Sequence, residues 1–173
     1  MNLWHDVPLG DKAPDEINVI IEIPRGSANK YEIDKDTGLI ALDRMMHTAQ
    51  VYPIDYGFSP RTLWEDGDAL DVMVLSTEPL LPSILVRVRP VGVMKMIDDG
   101  ESDFKVIGVP VKDPRWDGVR DISDVNEHVL KTVRHFFETY KDLQNKKVEI
   151  SGWGDATEAR AAVEKSVKLY AER

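Results

Sequence analysis

The feature that most constrains the fold is a change in hydrophobic period beyond residue 111. Before that point, short runs rich in β-branched residues are broken by proline and glycine, a pattern typical of strands in a small barrel or sandwich. The predicted strands span residues 17–23, 30–33, 39–42, 70–75, 84–89, 91–96 and 105–111. The aromatic segment over residues 52–57 is interpreted as a turn.

The last third of the chain shows helical spacing instead. Between residues 125 and 143 the apolar side chains recur every three or four positions, which predicts an amphipathic helix. Asp124 followed by Glu127 is a capping-box pattern, so the helix is expected to begin there.

The end of the chain is predicted to form one more strand and one more helix. The strand covers residues 147–151, and the glycines of residues 152–154 are interpreted as a break. Asp155 or Thr157 then begins a terminal helix. We therefore expect residues 1–173 to form a single domain, a closed β structure with two helices packed on it.

Charge and composition exclude several classes of protein. A hydrophobic fraction of 42% over 173 residues suffices for one core, and a net charge of −9 argues against nucleic-acid binding and against docking on anionic membranes. The absence of cysteine excludes disulfides, zinc–thiolate sites and iron–sulfur clusters. Since the sequence shows neither a signal peptide nor an apolar run of membrane-spanning length, the cytoplasm is the expected compartment.

Two acidic groups are the densest polar features. The first is Asp66-Gly67-Asp68-Ala69-Leu70-Asp71, and the second lies between residues 98 and 103. Clustered carboxylates repel one another unless cations lie among them, and hard oxygen ligands suit Mg²⁺ or Mn²⁺. The alternative is that both groups are solvated turns. An EF-hand is excluded, because Asp71 and Thr77 stand where that loop needs glycine and glutamate.

Isolated cationic and phenolic residues complete the pattern. Lys30 and Glu32 share one face of a predicted strand, and Glu22 interrupts an apolar strand, where an unpaired buried charge is costly. Arg44 and the pair at residues 140–141 add further donors. Acidic metal loops combined with lysine, arginine and tyrosine donors predict a metal-dependent enzyme that acts on phosphates.

The first acidic group, with Val72 after it, resembles the Asp-x-Asp-Pro-x-Asp signature of soluble family I inorganic pyrophosphatases. Further segments resemble the family in the same order along the chain, at residues 22–24, 30–35, 43–44, 52–53 with 56–57, 89–93, and 135–138 with 140–141. The resemblance covers nearly the whole chain. Ala69 departs from it, since the family usually has proline there, but the change removes no ligand.

The resemblance implies a mainly β fold, a five-stranded OB-type closed β-barrel with two packed helices and extra short strands. It also implies magnesium-dependent hydrolysis of pyrophosphate to two orthophosphates by metal-activated water. Several Mg²⁺ ions per site are expected, with Mn²⁺ as a possible substitute. Relatives form homo-oligomers, commonly hexamers, so a hexamer is expected by analogy. Neither nucleic acid nor a membrane is an expected partner.

The resemblance also implies a role for each matching residue. Its metal ligands are the carboxylates of Asp66, Asp71, Asp98 and Asp103. Its catalytic residues are Asp68, as the general base, and Tyr56. Its phosphate ligands are Lys30, Arg44, Tyr56, Lys105, Tyr140 and Lys141. Four further residues are expected to hold these ligating side chains in position, namely Glu22, Glu32, Tyr52 and Asp99.

Two other functions remain open at this point. One is a broader metal-dependent phosphohydrolase that acts on nucleotides or organic pyrophosphates, although the glutamate-rich Nudix helix is absent. The other is an OB-fold module for single-stranded nucleic acid, which would need a basic groove with aromatic platforms. The acidic net charge speaks against the second.

Overall fold

The computed structural model describes all 173 residues. The chain forms nine strands and two α-helices, which run in sequence as β1 (Ile17–Ile23), β2 (Asn29–Ile33), β3 (Ile40–Met45), β4 (Asp55–Phe58), β5 (Asp71–Val74), β6 (Leu85–Asp98), β7 (Glu101–Ser102), β8 (Lys105–Pro110), α1 (Glu127–Thr139), β9 (Val148–Gly154) and α2 (Ala156–Glu172). Neither helix combines the length and the apolar character that a membrane crossing would need.

Five strands close into a ring. Their order is β1–β4–β5–β8–β6, and β6 pairs back onto β1. All neighbours in the ring are antiparallel except β5 and β8, which are parallel. Closure leaves no unpaired edge in these strands. The ring, with two helices packed on it and shorter strands beside it, confirms the predicted OB-type fold.

The longest strand, β6, is the element that joins the sheet together. Its 14 residues pair with β1, β7, β8 and β9. The prediction of two separate strands over residues 84–89 and 91–96 is wrong, because Pro90 does not end the strand. A register irregularity between Pro90 and Gly92 accommodates the missing N–H while the strand continues.

Two apolar clusters hold the helices against the ring. On one side, Val133, Phe136 and Phe137 of α1 pack against a cluster that includes Tyr52 and Tyr56. On the other side, small residues of α2 pack among the valines of β5, β6 and β8. Helix α1 covers the aromatic residues beside β4. The residues that follow its C-terminal end, Tyr140 and Lys141, line the pocket at one end of the ring.

The predicted start of the first helix is wrong, and that of the second is confirmed. Asn126, not Asp124, caps α1, and its side chain accepts a hydrogen bond from His128 N at 2.9 Å. Asp124 instead accepts from Asp121 N at 3.0 Å in a preceding 3-10 helix. The expected cap at Asp155 is confirmed, since its carboxylate accepts from Glu158 N at 2.9 Å.

Two segments expected to be irregular are strands. Half of the supposed aromatic turn, residues 55–57, belongs to β4, which pairs with both β1 and β5. Residues 152–154 continue β9 along β6. The glycine at Gly154 serves close packing, because a Cβ there would lie 2.6 Å from a carboxylate oxygen of Glu158.

Candidate active site

A pocket of about 310 Å³ lies at one end of the ring, where loops and strand ends from most of the chain converge. All the predicted site residues line it except Arg44 and Tyr52. Those that do are Glu22, Lys30, Glu32, Tyr56, Asp66, Asp68, Asp71, Asp98, Asp99, Asp103, Lys105, Tyr140 and Lys141. Charged side chains dominate this wall, so the pocket suits a small, highly charged ligand.

The loop before β5 presents three of the carboxylates around one tight turn. Trp64 N donates to Asp68 O at 2.7 Å, and Gly67 N donates back to Trp64 O at 3.1 Å. Gly67 has φ of 85°, a left-handed conformation that glycine adopts without strain. Asp66 accepts from Asp68 N at 3.1 Å, which fixes the direction of its carboxylate. The local sequence thus explains why the acidic side chains face one space.

Lys105 lies at the centre of the pocket floor. The parallel register of β5 and β8 places it beside Asp71. Its ammonium donates to Asp71 at 2.7 Å, to Asp103 at 2.8 Å and to the Tyr56 hydroxyl at 2.8 Å. Burial disfavours the charged amine, but Asp103 and Asp71 outweigh burial and raise the pKa of Lys105 well above its usual value. The lysine is therefore a permanent cation between two carboxylates.

Several carboxyls in the pocket hold their protons unusually tightly. Burial, followed by the charge of Asp71, raises the pKa of Glu22 to about 8, although Glu22 also accepts from Ile33 N at 2.8 Å. Burial likewise raises the pKa of Asp66 to about 7 and the pKa of Asp103 above its usual value. This concentration of acidic groups exceeds what the lysines neutralise, so the pocket favours additional cations.

The chemistry of the donor set fits magnesium. The acidic residues of the pocket offer carboxylate oxygens, which are the hard ligands that magnesium prefers. One carboxylate oxygen of Asp98 is buried without a partner. No three of these acidic side chains form a ready-made ion site. Lysines pair with several of them instead: Lys35 with Asp68, Lys105 with Asp71 and Asp103, and Lys141 with Asp98.

The β2–β3 hairpin contributes Lys30 to the pocket lining. Its register places Lys30 opposite Arg44. Burial and the charge of Arg44 lower the pKa of Lys30. Arg44 donates to Asp43 at 2.6 Å, while its Nε and Nη2 atoms are buried without partners. Arg44 lies behind the pocket lining, and its free donors suit an anion.

The tyrosines divide between the pocket and the core. Tyr52 does not line the pocket and packs with its ring 4.8 Å from Phe136 and 5.6 Å from Tyr56. Burial raises the pKa values of Tyr52, Tyr56 and Tyr140 above that of a free phenol. The phenols of Tyr56 and Tyr140 therefore remain hydrogen-bond donors at neutral pH.

Sequence reasoning missed some of the pocket lining. Lys35 and Lys146 add two cations, and Trp4 and Glu101 also line it. Lys35 lies outside any periodic strand pattern. Its place in the segment over residues 30–35, which resembles the family, is the only signal that could have indicated it. Trp4 comes from the N-terminal segment and donates to Thr62 O at 2.8 Å, a contact that no local pattern predicts.

Comparison with known proteins gives one consistent result. The family model described as inorganic pyrophosphatase matches residues 19–171. An inorganic pyrophosphatase of Thermus thermophilus is 52% identical over 167 residues, covering 95% of each chain, and one of Haloferax volcanii is 46% identical over 99% of this chain and 98% of its own. A crystal structure of the inorganic pyrophosphatase from Thermus thermophilus superposes with a TM-score of 0.95 at 50% identity, over 99% of each chain.

Proposed function

The chain belongs to the inorganic pyrophosphatase family, whose members hydrolyse pyrophosphate to two orthophosphates, and we propose that the charged pocket is where it does so. The observation that carries the proposal is the arrangement around Lys105, where Asp71, Asp103 and Tyr56 converge on one ammonium. Nine carboxylates and five lysines line the same pocket. This arrangement suits a substrate that carries phosphate oxygens and arrives with cations.

We propose that Asp66, Asp71, Asp98 and Asp103 hold magnesium, with manganese as a substitute. The support is their oxygen-only chemistry, the raised pKa values of Asp66 and Asp103, and the unpartnered oxygen of Asp98. Bound magnesium would neutralise charge on the substrate and make a water molecule more acidic. The lysine pairs of these carboxylates would have to open to admit the ions.

In this proposal the cationic and phenolic donors bind the phosphate oxygens. Lys30 and Lys141 line the pocket and would bind non-bridging oxygens. Arg44 lies outside the lining, and its two unpartnered guanidinium nitrogens would have to turn toward the pocket to bind another. The protonated phenols of Tyr56 and Tyr140 would donate to the same group. Lys105 would stay charged next to them and offset the charge that develops on the leaving phosphate.

Asp68 is proposed as the general base. Its side chain is more than half exposed to the pocket solvent, and its one ion pair is with the equally exposed Lys35. A carboxylate in this position can accept a proton from an attacking water molecule without giving up a buried structural bond. We propose that Glu22, Glu32, Tyr52 and Asp99 hold the ligating side chains in position. Among them, Glu32 forms an ion pair with Lys30.

We also propose a cytoplasmic homo-oligomer, a hexamer by analogy with the family, that does not bind nucleic acid. Large apolar side chains exposed together before and at the start of β6 support an interface, namely Leu81, Ile84 and Leu85. Light scattering behind a sizing column tests this part. A monomer at micromolar concentration would contradict it.

The reaction is tested by orthophosphate release from pyrophosphate and from ATP, with Mg²⁺ and then with EDTA. We expect turnover of pyrophosphate that EDTA abolishes, with little release from ATP. Equal activity on both substrates would favour a general phosphohydrolase. Pyrophosphate turnover that EDTA leaves intact would overturn the assignment of the carboxylates to metal binding.

A further inference from the structure

Trp64 is a buried aromatic residue that lies just outside the pocket lining. It is 4% exposed and precedes Asp66 by two residues. Its indole N–H donates to the Ser102 hydroxyl at 3.2 Å. Ser102 directly precedes Asp103. One side-chain hydrogen bond therefore connects the loop that carries Asp66 to the segment that carries Asp103, across 38 positions of sequence.

The main chain of Trp64 shapes the acidic loop at the same time. Its N–H donates to Asp68 O, and its carbonyl accepts from Gly67 N. These two bonds close the turn that presents Asp66 and Asp68. A shift of the indole would therefore move the turn as a unit with the tryptophan backbone.

The partner segment is anchored as firmly. Ser102 lies in β7, opposite Ile97 of β6, and Asp103 N donates to Met96 O at 2.9 Å. Ser102 and Asp103 therefore move with β6, the strand that ends at Asp98. The hydroxyl of Ser102 is a fixed point to which the acidic loop is attached.

Other contacts hold the indole in place. Its ring stacks on Phe104 with centroids 5.4 Å apart, and the Lys165 ammonium lies 4.8 Å from the ring centroid. Lys165 also pairs with Glu65, the residue between Trp64 and Asp66. The loop is thus held from α2 on one side and from β7 on the other.

We infer that Trp64 is a positioning residue, which sets the separation of the Asp66 and Asp103 carboxylates through its hydrogen bond to Ser102 and so tunes the affinity for magnesium. The inference rests on the proposed function, in which both carboxylates bind the metal. Trp64 itself does not line the pocket. Its effect is therefore expected on metal affinity rather than on the chemistry of phosphate transfer.

The test is a magnesium titration by calorimetry, without substrate, on Trp64→Phe, Ser102→Ala and the double variant. Each single change is expected to raise the Mg²⁺ dissociation constant by about three- to tenfold, somewhat less than the loss of a direct partner of a ligand. The double variant should bind Mg²⁺ no more weakly than the single variant with the larger loss of affinity, because both changes remove the same hydrogen bond. Ser102→Thr keeps the hydroxyl and should restore affinity.

Trp116→Phe is the matched control, because the indole N–H of Trp116 is buried without a partner and lies outside the pocket lining. Its Mg²⁺ affinity should equal that of the wild type. In activity assays the Trp64 and Ser102 variants should approach wild-type kcat once Mg²⁺ is raised. A purely structural role would instead lower thermal stability at unchanged Mg²⁺ affinity.

Two outcomes separate failure of this inference from failure of the proposed function. If Asp103→Asn loses Mg²⁺ binding while Ser102→Ala binds as tightly as the wild type, Trp64 has no positioning role. If Asp103→Asn itself binds Mg²⁺ like the wild type, the metal assignment is wrong, and Trp64 then has no metal ligand to position. Should Trp64→Phe fold poorly, Ser102→Ala alone decides, since it removes the acceptor without opening the core.

Discussion

Adjacent residues of β4, Asp55 and Tyr56, belong to two buried polar regions with opposite arrangements. Asp55 is fully buried, and its carboxylate accepts from Arg25 N at 2.8 Å, from Leu80 N at 3.1 Å and from the Ser76 hydroxyl. Each of these donors is a neutral backbone or hydroxyl group. The network ties the segments that follow β1 and β5 to β4, and the pocket does not include it.

Tyr56 belongs to the pocket, where carboxylates outnumber the donors that satisfy them. Asp71 and Asp103 share the ammonium of Lys105, and burial raises the pKa values of Glu22 and Asp66. A buried carboxylate with enough neutral donors stabilises the fold, whereas carboxylates that compete for cations are available for binding them. Burial alone therefore does not mark a functional acid.

The largest contrast should come from Asp71→Ala. Loss of a carboxylate at the centre of the pocket is expected to lower kcat/KM for pyrophosphate by about a thousandfold, since it removes charge stabilisation from the reaction. Thermal unfolding of the metal-free variant should change less than that of Asp55→Ala, because the buried Lys105 ammonium keeps Asp103 and Tyr56 as partners and Glu22 loses a repelling neighbour. Steady-state phosphate release and circular dichroism measure the two effects. A variant that retains a large share of the activity would refute the central place of Asp71.

Asp55→Ala should show the reverse pattern. Three donors lose their acceptor in a fully buried place, so the free energy of unfolding should fall by about 3 kcal/mol, while kcat stays close to that of the wild type. Urea denaturation followed by tryptophan fluorescence measures the loss, and phosphate release measures kcat. A stable but inactive Asp55→Ala would erase the distinction between the two regions.

Asp68→Asn tests the proposed base within the pocket. The amide keeps the size of the carboxylate but cannot accept the proton, so kcat should fall on the order of a hundredfold or more. Substrate binding and Mg²⁺ binding should be largely retained. The measurement is kcat and KM at saturating Mg²⁺, with Glu164→Gln, an exposed change outside the pocket on α2, as the control. An almost unchanged kcat would remove Asp68 from this role.

Lys30→Ala should have the smallest of these effects. Removing one proposed phosphate donor from the pocket is expected to raise KM for pyrophosphate about tenfold and to slow turnover as well. Lys12→Ala removes an exposed lysine outside the pocket and serves as the comparison. If both variants have the same KM as the wild type, the hairpin does not bind substrate.

Much of the ring and of the pocket follows from local sequence. The mainly apolar run of β1, which contains only Asn18 and Glu22 as polar residues, is predicted with its observed bounds, because its side chains are buried on both faces. The turn between Asp66 and Asp71 was identified by its closely spaced carboxylates and glycine, which act through near neighbours. Family resemblance then assigned residues scattered over more than a hundred positions to one site.

The remaining features depend on partners distant in sequence. Residues of β4 form a strand because β1 and β5 flank them on both sides, although Pro53 gives the segment a turn signal. Gly154 is needed for close packing against Glu158, but from the sequence alone its glycine looks like the end of a strand. The contact of Lys35 with Asp68 spans two loops and leaves no periodic trace.

An anomalous difference map from crystals of the protein with Mn²⁺ and phosphate would locate the metal ions themselves. We expect manganese peaks inside the pocket, coordinated by Asp66, Asp71 and Asp103, with phosphate oxygens near Lys30 and Arg44. We also expect that Lys105 no longer occupies the whole space between Asp71 and Asp103. Manganese peaks confined to other parts of the surface, with the lysine pairs intact, would show that the pocket is not the metal site.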